Sequence, residues 1–234
     1  MSFWEQGKYK AVTFSYDDGV TQDIRLIELL NKYNLKCTFN INSGLLSQRG
    51  ILIRNNQRIA HYKINTEDFK YVYEGHEVAA HTLTHPNLTD CDTQTIIKQV
   101  EEDRLTLSEL AGYEVVGMAY PCGGVNNDER VAQIIKENTG IKYSRTITST
   151  HSFEPQENLL RFNPTVYHLE LDKMMELGQT FVNLKPDTPQ IFYIWGHSYE
   201  MDFEPDYWIR LEEFFKLISN KDDIFYGTNK EVLL

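Results

Sequence analysis

Two groups of residues in this chain have types and spacings that could do chemistry. The first is the pair Asp17-Asp18, which ends the apolar run Ala11-Val-Thr-Phe-Ser-Tyr16 and precedes Gly19. Side chains alternate faces on an extended backbone, so adjacent carboxylates at a strand end can diverge, one toward a metal ion and one toward a water. The same three residues also make an ordinary surface turn. The second group is His81-Thr-Leu-Thr-His85, whose spacing of four puts both imidazoles on one face of a helical turn. Joined by a carboxylate from elsewhere, these histidines would form a His₂Asp site with positions open for water or substrate. Such a donor set suits zinc, or another divalent ion that accepts nitrogen and oxygen ligands. Two solvated loop histidines are the plain alternative. His197 follows another apolar run, and its imidazole suits proton transfer near neutrality. Glu200 and Asp202 stand close enough in sequence to orient it.

Positioning these groups requires a scaffold that brings distant segments together. Ala11–Tyr16 reads as a strand, followed by a helix capped by Thr21 or Asp23 and running to about Tyr33, with Leu26, Ile27, Leu30 and Tyr33 on one side. Lys36–Ile41 is a second buried strand, so the three elements form a βαβ unit with parallel pairing. Residues 42–65 have no clear period and suggest an excursion with a hairpin around Ile51 to Tyr62. A short helix from Asn65 or Thr66 to Tyr73, a strand at His76–Ala80 and a long helix from about Asp92 to Ala111 follow, with Gly112 as its C-cap. Then come a strand at Val115–Ala119, a helix at Asp128–Asn138, a strand at Lys142–Arg145 and a loop-rich stretch from Thr146 to Pro164. The chain closes with a helical pattern at Leu169–Phe181, a strand at Ile191–Trp195 and a helix with Pro205 at its first position.

Strand and helix alternate throughout, so the expected fold is α/β: a distorted or partly opened (β/α) barrel with parallel strands. A doubly wound open sheet is the alternative. Either fold carries its site at the carboxyl ends of the strands, where Asp17-Asp18, His81, the Tyr120-Pro121 turn and His197 all fall.

Composition narrows the partners. The 234 residues fit one domain spanning 1–234, and the 41% hydrophobic content is that of a folded protein. A net charge of −11 excludes a nucleic-acid backbone as the natural partner and leaves neutral or cationic small molecules and glycans. Cys37, Cys91 and Cys122 form no disulfide or zinc-knuckle pattern. No signal pattern or membrane span is present, so a cytoplasmic protein is expected, apart from a leader already trimmed.

Taken together, Thr13-Phe-Ser-Tyr-Asp-Asp-Gly19 and His81-Thr-Leu-Thr-His85 resemble the first two motifs of the polysaccharide deacetylase family, also called the NodB-homology or carbohydrate esterase family 4 domain. Those motifs are Thr-Phe-Asp-Asp-Gly and His-(Ser/Thr)-x-x-His, and here Ser15 and Tyr16 intervene before the Asp pair. The resemblance runs from about Tyr9 to His197. It implies Asp17 as general base and Asp18, His81 and His85 as ligands of one divalent ion, Zn²⁺ ahead of Co²⁺ and Ni²⁺. A water activated by that ion would attack an acetamide carbonyl.

Met118-Ala-Tyr-Pro-Cys-Gly123 looks like the third motif, Arg-x-Pro-Tyr, with Tyr120 and Pro121 lining the groove and the Cys122 amide at the oxyanion. Ala119 stands where the family has an arginine that contacts the base, and Arg161 is the expected substitute. Ile194-Trp-Gly-His197 resembles the last motif and makes His197 the general acid. Trp195 and Glu200 are supporting candidates, and Tyr120, Trp195 and Tyr199 are candidates to stack on a sugar. The family's fourth motif, the acid that buttresses the histidine, has no evident counterpart. Histidines 61, 76, 151 and 168 belong to no constellation, and Cys122 lacks the partners of a catalytic thiol.

The expected function is removal of N-acetyl, or alternatively O-acetyl, groups from a sugar, oligosaccharide or glycan. The alternatives are a catalytically impaired carbohydrate-binding relative of the same fold and hydrolysis of a different amide or ester. The sequence does not choose the sugar or the oligomeric state.

Overall fold

A computed structural model describes Trp4, residues 7–54 and residues 56–234. The elements, in chain order, are β1 (Lys10–Asp17), α1 (Asp23–Lys32), β2 (Cys37–Ile41), β3 (Arg49–Arg54), β4 (Gln57–Tyr62), α2 (Phe69–Val72), β5 (Glu77–Ala80), α3 (Thr93–Ile97), α4 (Asp103–Ala111) and β6 (Gly117–Ala119). The chain continues with α5 (Glu129–Asn138), β7 (Tyr143–Arg145), β8 (Val166–Tyr167), α6 (Leu171–Asn183), β9 (Gln190–Gly196), α7 (Tyr207–Ile218), β10 (Ile224–Tyr226) and α8 (Asn229–Leu233).

The main sheet is parallel, in the order β7-β6-β5-β2-β1-β9-β8. β10 pairs with the first half of β1, from Lys10 to Val12, while β2 takes its second half, from Phe14 to Asp17. The two outer strands are drawn together by one segment: Phe162 bridges to Arg145 of β7, and Val166–Tyr167 pairs with β9. The sheet is therefore a curled, partly opened (β/α) barrel with helices outside it, as the alternation of elements predicts.

β1 shows how the sequence builds this shape. All eight of its residues are buried, as expected for a parallel strand covered on both faces. Val12, Phe14 and Tyr16 join the outer apolar core with Leu26 and Leu30 of α1 and Phe214 and Phe215 of α7. The alternate residues Thr13, Ser15 and Asp17 face a polar interior, bonded to Asn229, Asn40 and Arg145 respectively. Period-two alternation thus separates an apolar shell from a polar axis that ends at Asp17. Lys10, buried at the opposite end, donates to the carbonyls of Phe181 and Val182 at the C-terminal end of α6.

Several expectations need correction. Gln22, not Thr21 or Asp23, is the N-cap of α1; Asp23 is buried inside it and accepts bonds from Tyr73 and Ser198. The helix expected to start at Pro205 begins at Tyr207. The helix expected over 92–111 is interrupted by a π turn at Lys98–Glu102. The stretch from Thr146 to Pro164, read as loop, contains the Phe162 bridge that helps close the barrel. β10 and α8 were not anticipated.

Candidate active site

The Asp pair diverges because the backbone turns sharply after β1. Asp17 ends the strand facing the polar axis, while Asp18 has φ +85°, a left-handed conformation uncommon for non-glycine residues. Lys63 and Asn40 secure that turn: the Lys63 ammonium donates to the Asp18 carbonyl at 2.6 Å, and the Asp18 N–H donates to the Asn40 carbonyl at 2.9 Å. Lys63 also lies 3.2 Å from Asp18 Oδ1, and His61 Nε2 lies 3.4 Å from Oδ2.

The histidine segment is not helical. Thr82 and His85 both have positive φ, +67° and +63°, so the loop is irregular and is fixed from outside. Asn42 donates to the carbonyls of His81 and Thr82 at 2.5 and 2.9 Å. Asp103, buried at the start of α4, accepts the N–H groups of His81 and Ser43. Burial pushes its carboxyl up to about 7, against those donors. The π turn before it directs the Gln99 carbonyl to the Leu83 N–H, 2.8 Å away. π turns inside α-helices frequently accompany functional sites.

Within this frame Asp18, His81 and His85 each offer one ligand atom, all within 4.8 Å of one another. His81 Nδ1 lies 2.9 Å from the Ala119 carbonyl, which fixes the ring and leaves Nε2 facing the carboxylates. That is the outer-shell bond metal-binding histidines usually make. Burial lowers the pKa of His81 to about 4 and also lowers that of His85, so both imidazoles are neutral at neutral pH, as ligands must be. Burial alone would raise the Asp18 carboxyl, but Lys63 and His61 hold it well below the usual carboxylate range. This donor set fits a divalent cation.

Asp17 lies behind the triad. Arg145 Nη2 reaches its two oxygens at 2.6 and 2.5 Å, and Asn40 donates to Oδ1 at 2.8 Å. Burial favours protonation of Asp17, yet Arg145, His81 and His197 outweigh it and keep the pKa lowered. Arg145 is itself fully buried, bonded to Ser15 and the Thr146 carbonyl, with its guanidinium 4.5 Å from the Trp195 ring centroid. Arg161 does not take this role. It bonds Asn127 and pairs with Glu129 outside the barrel, because its short 3-10 turn packs against α5 rather than pointing inward.

His197 Nε2 stands 4.0 Å from Asp17 Oδ2, and its Nδ1 is 3.0 Å from Glu200 Oε2. Burial lowers its pKa, but the Glu200 carboxylate raises it to about 9. Glu200 also receives His168 Nε2 at 2.9 Å and Arg54 Nη1 at 3.2 Å. Burial would raise its carboxyl, but the two imidazoles hold it far below the carboxylate range. Glu200 occupies the buttressing place for which the sequence offered no clear motif.

The groups open into a cleft of about 280 Å³ lined in part by Tyr120, Cys122, Ile147, Tyr167, Trp195 and Tyr199. Tyr120 reaches the wall, but its ring is buried and its hydroxyl donates to the Leu160 carbonyl, so it shapes the cleft more than it stacks in it. Pro121 sits between it and Cys122, at the turn whose carbonyls Asn126 holds. Cys122 has φ +69°, and its Sγ lies 3.7 Å from His85 Nδ1. Burial raises its thiol pKa, which removes the thiolate that nucleophilic catalysis would need. Cys122→Ala is therefore expected to keep turnover within about threefold, since it removes no charged or acid–base group; an inactive but metal-binding variant would refute this.

Three groups that sequence reasoning left out belong to the site: Arg145, Lys63 with its neighbour His61, and His168. Arg145 ends a predicted strand, so the strand-end rule could have selected it. Lys63 lies in the aperiodic stretch and gave no signal.

Comparison with known proteins gives a consistent family. A family model described as polysaccharide deacetylase matches residues 5–143. A peptidoglycan-N-acetylglucosamine deacetylase of Listeria monocytogenes is 26% identical over 120 residues, 50% of this chain and 22% of that protein. A chitooligosaccharide deacetylase of Rhizobium leguminosarum bv. trifolii is 29% identical over 93 residues, 39% of this chain and 36% of that one. The chain thus matches only about a fifth to a third of these relatives' lengths. Among solved structures, a protein assigned to the polysaccharide deacetylases in Mycobacterium smegmatis aligns with TM-score 0.65 at 18% identity, covering 98% of this chain and 90% of that one. A Bacillus anthracis pseudoenzyme of carbohydrate esterase family 4 aligns with TM-score 0.56 at 18% identity, covering 96% and 66%.

Proposed function

Because the chain belongs to the polysaccharide deacetylase family, we propose that its cleft hydrolyses the N-acetyl amide of a sugar, oligosaccharide or glycan, using one divalent ion at Asp18, His81 and His85. Zn²⁺ is the first choice, with Co²⁺ and Ni²⁺ as substitutes. One observation carries this reading. A neutral-imidazole and carboxylate donor set adjoins two groups held in opposite proton states, Asp17 anionic and His197 cationic. Titratable pairs whose environments push them apart mark acid and base.

When bound, the ion would polarise the amide carbonyl and acidify the attacking water. Asp17, kept ionised by Arg145, accepts the proton of that water as its oxygen adds to the carbonyl carbon. The Cys122 amide donates to the oxygen that gains charge. His197, kept protonated by Glu200, then delivers its Nε2 proton to the sugar nitrogen as the carbon–nitrogen bond breaks. Acetic acid and the free amine leave, and exchange with solvent removes the proton from Asp17 and returns one to His197, which restores the starting proton states. Trp195 and Tyr199 line the cleft wall, and Trp195 is itself packed against Arg145 and Tyr167, so they shape the space the sugar enters.

The test is acetate release from N-acetylated oligosaccharides by protein depleted of metal with a chelator and then reloaded with Zn²⁺. Release that stops on depletion and returns on reloading supports the reading. Metal binding with no release from any N-acetylated sugar, or from O-acetyl and other amide substrates, would instead favour the impaired binder. The absence of an arginine at Ala119 is what would favour that alternative, but Arg145 supplies a guanidinium to Asp17 from elsewhere.

The proton states also fix a pH dependence. The required form of His197 is protonated, so with its pKa raised to about 9, kcat/KM is expected to fall as pH rises through that value. Glu200→Gln removes the main upward influence and should move the alkaline limb to lower pH. An unchanged limb in the variant's pH–rate profile would assign it to another group.

A further inference from the structure

The antiparallel hairpin of β3 and β4 carries a charge unlike the rest of the chain. Residues 42–66 contain Arg49, Arg54, Arg58 and Lys63 and no acid, in a chain of net charge −11. The hairpin forms one wall of the site. Arg54 lines the catalytic cleft. Arg49 and Lys63 line an adjoining hollow of about 380 Å³ that shares Asp18, His85 and Tyr199 with the cleft.

The acids that face the cleft are already engaged from within. Asp17 is held by Arg145, Asp18 by Lys63, and Glu200 by His168 and His197. Arg54 is the cation at the rim with donors to spare. Its side chain is 55% exposed, one face lies 5.3 Å from the Phe203 ring centroid, and Nη1 reaches Glu200 Oε1. Nε and Nη2 have no partner among the described residues. A guanidinium held on one edge and one face, with its remaining edge open, is pre-set for two parallel hydrogen bonds to a carboxylate.

We propose that Arg54 is a specificity-determining residue that binds a free carboxylate on the substrate, so that the preferred substrates are acidic N-acetylated glycans. These carry a carboxylate on the reacting sugar or on its neighbour. The proposal rests on the deacetylase reading above. It runs against the expectation from net charge alone, which favours neutral or cationic partners. The local charge at the cleft rim overrides that average, because screening confines exposed charges to about 8–10 Å at ordinary salt.

The experiment compares kcat/KM of the Zn²⁺-loaded protein on two N-acetylated oligosaccharides that differ only in a free carboxylate against its methyl ester. The parent is expected to prefer the acid by about tenfold, the usual worth of a hydrogen bond to a charged group. Arg54→Met is expected to abolish the preference. The ratio is the readout because Arg54 also touches Glu200, so its loss can slow both substrates together. Arg58→Met removes the same charge from the hairpin at a position that lines neither hollow, and it should keep the preference. Equal turnover of acid and ester by the parent, a preference that survives Arg54→Met, or one lost equally in Arg58→Met would each overturn the assignment while leaving the deacetylase reading intact. No turnover of either substrate, with other N-acetylated sugars also inert, would overturn both.

Discussion

Replacing Arg145 with Met is expected to lower deacetylase turnover by about 10²–10⁴-fold, the range associated with loss of a positioned general base. Asp17 is 2% exposed, and Arg145 supplies its principal positive partner at both oxygens. Without it, burial dominates and the carboxyl takes up a proton, so the base is lost even though Asp17 is still there. The same change removes one partner of a buried ion pair, which costs about 3–5 kcal/mol of stability. The double variant Arg145→Met, Asp17→Asn should recover much of that stability while staying inactive. Arg161→Met, on the outside of the barrel, should keep full turnover. Denaturant unfolding and acetate release on the four proteins decide the matter; an active Arg145→Met would remove the guanidinium from the account.

Replacing Lys63 with Met is expected to produce an effect that depends on metal. In chelator, Asp18 loses its buried countercharge, and His61 at 3.4 Å is the partner that remains. A loss of about 3–5 kcal/mol follows, on the order of 10 °C in Tm for a chain of this length. With saturating Zn²⁺, a cation at Asp18 replaces the missing ammonium, and a ligand that binds only the folded state adds stability. The Zn²⁺-induced rise in Tm should therefore be larger in Lys63→Met than in the parent. Thermal melts with chelator and with Zn²⁺ test this, and equal rises in the two proteins would show that Lys63 and the ion do not compete for the same carboxylate.

The parts of this molecule legible in the sequence are those set by local period. β1 and β9 read as strands because their residues are apolar over a strand's length, and the parallel barrel follows from alternating elements. Asp17, Asp18, His81 and His197 were legible for the same reason, since each ends a recognisable strand. Arg145 and Asp17 meet across the barrel interior from positions 128 residues apart, and no local pattern records such a meeting. The substitute chosen by sequence, Arg161, failed because its 3-10 turn faces α5. His168 and Glu200 were separated by the same distance problem, although Glu200 had been noticed beside His197. The His81–His85 spacing suggested a helical turn, but the segment has two residues at positive φ. Its shape comes from Asn42 and Asp103, which lie outside it.

The π turn at Lys98–Glu102 has a consequence for how this helix tolerates insertions and deletions. Each residue of an α-helix advances about 100° around its axis, and a π turn amounts to one residue more than a regular helix holds. Deleting one residue there would give an unbroken α3–α4 helix, better bonded along its own axis. On that regular helix, Gln99 and Asp103 could not both keep their present bearings toward the histidine loop. The helix is therefore one residue too long for its own comfort, and the surplus sets its phase: a length change among its solvent-facing residues would reach the buried imidazoles as a rotation.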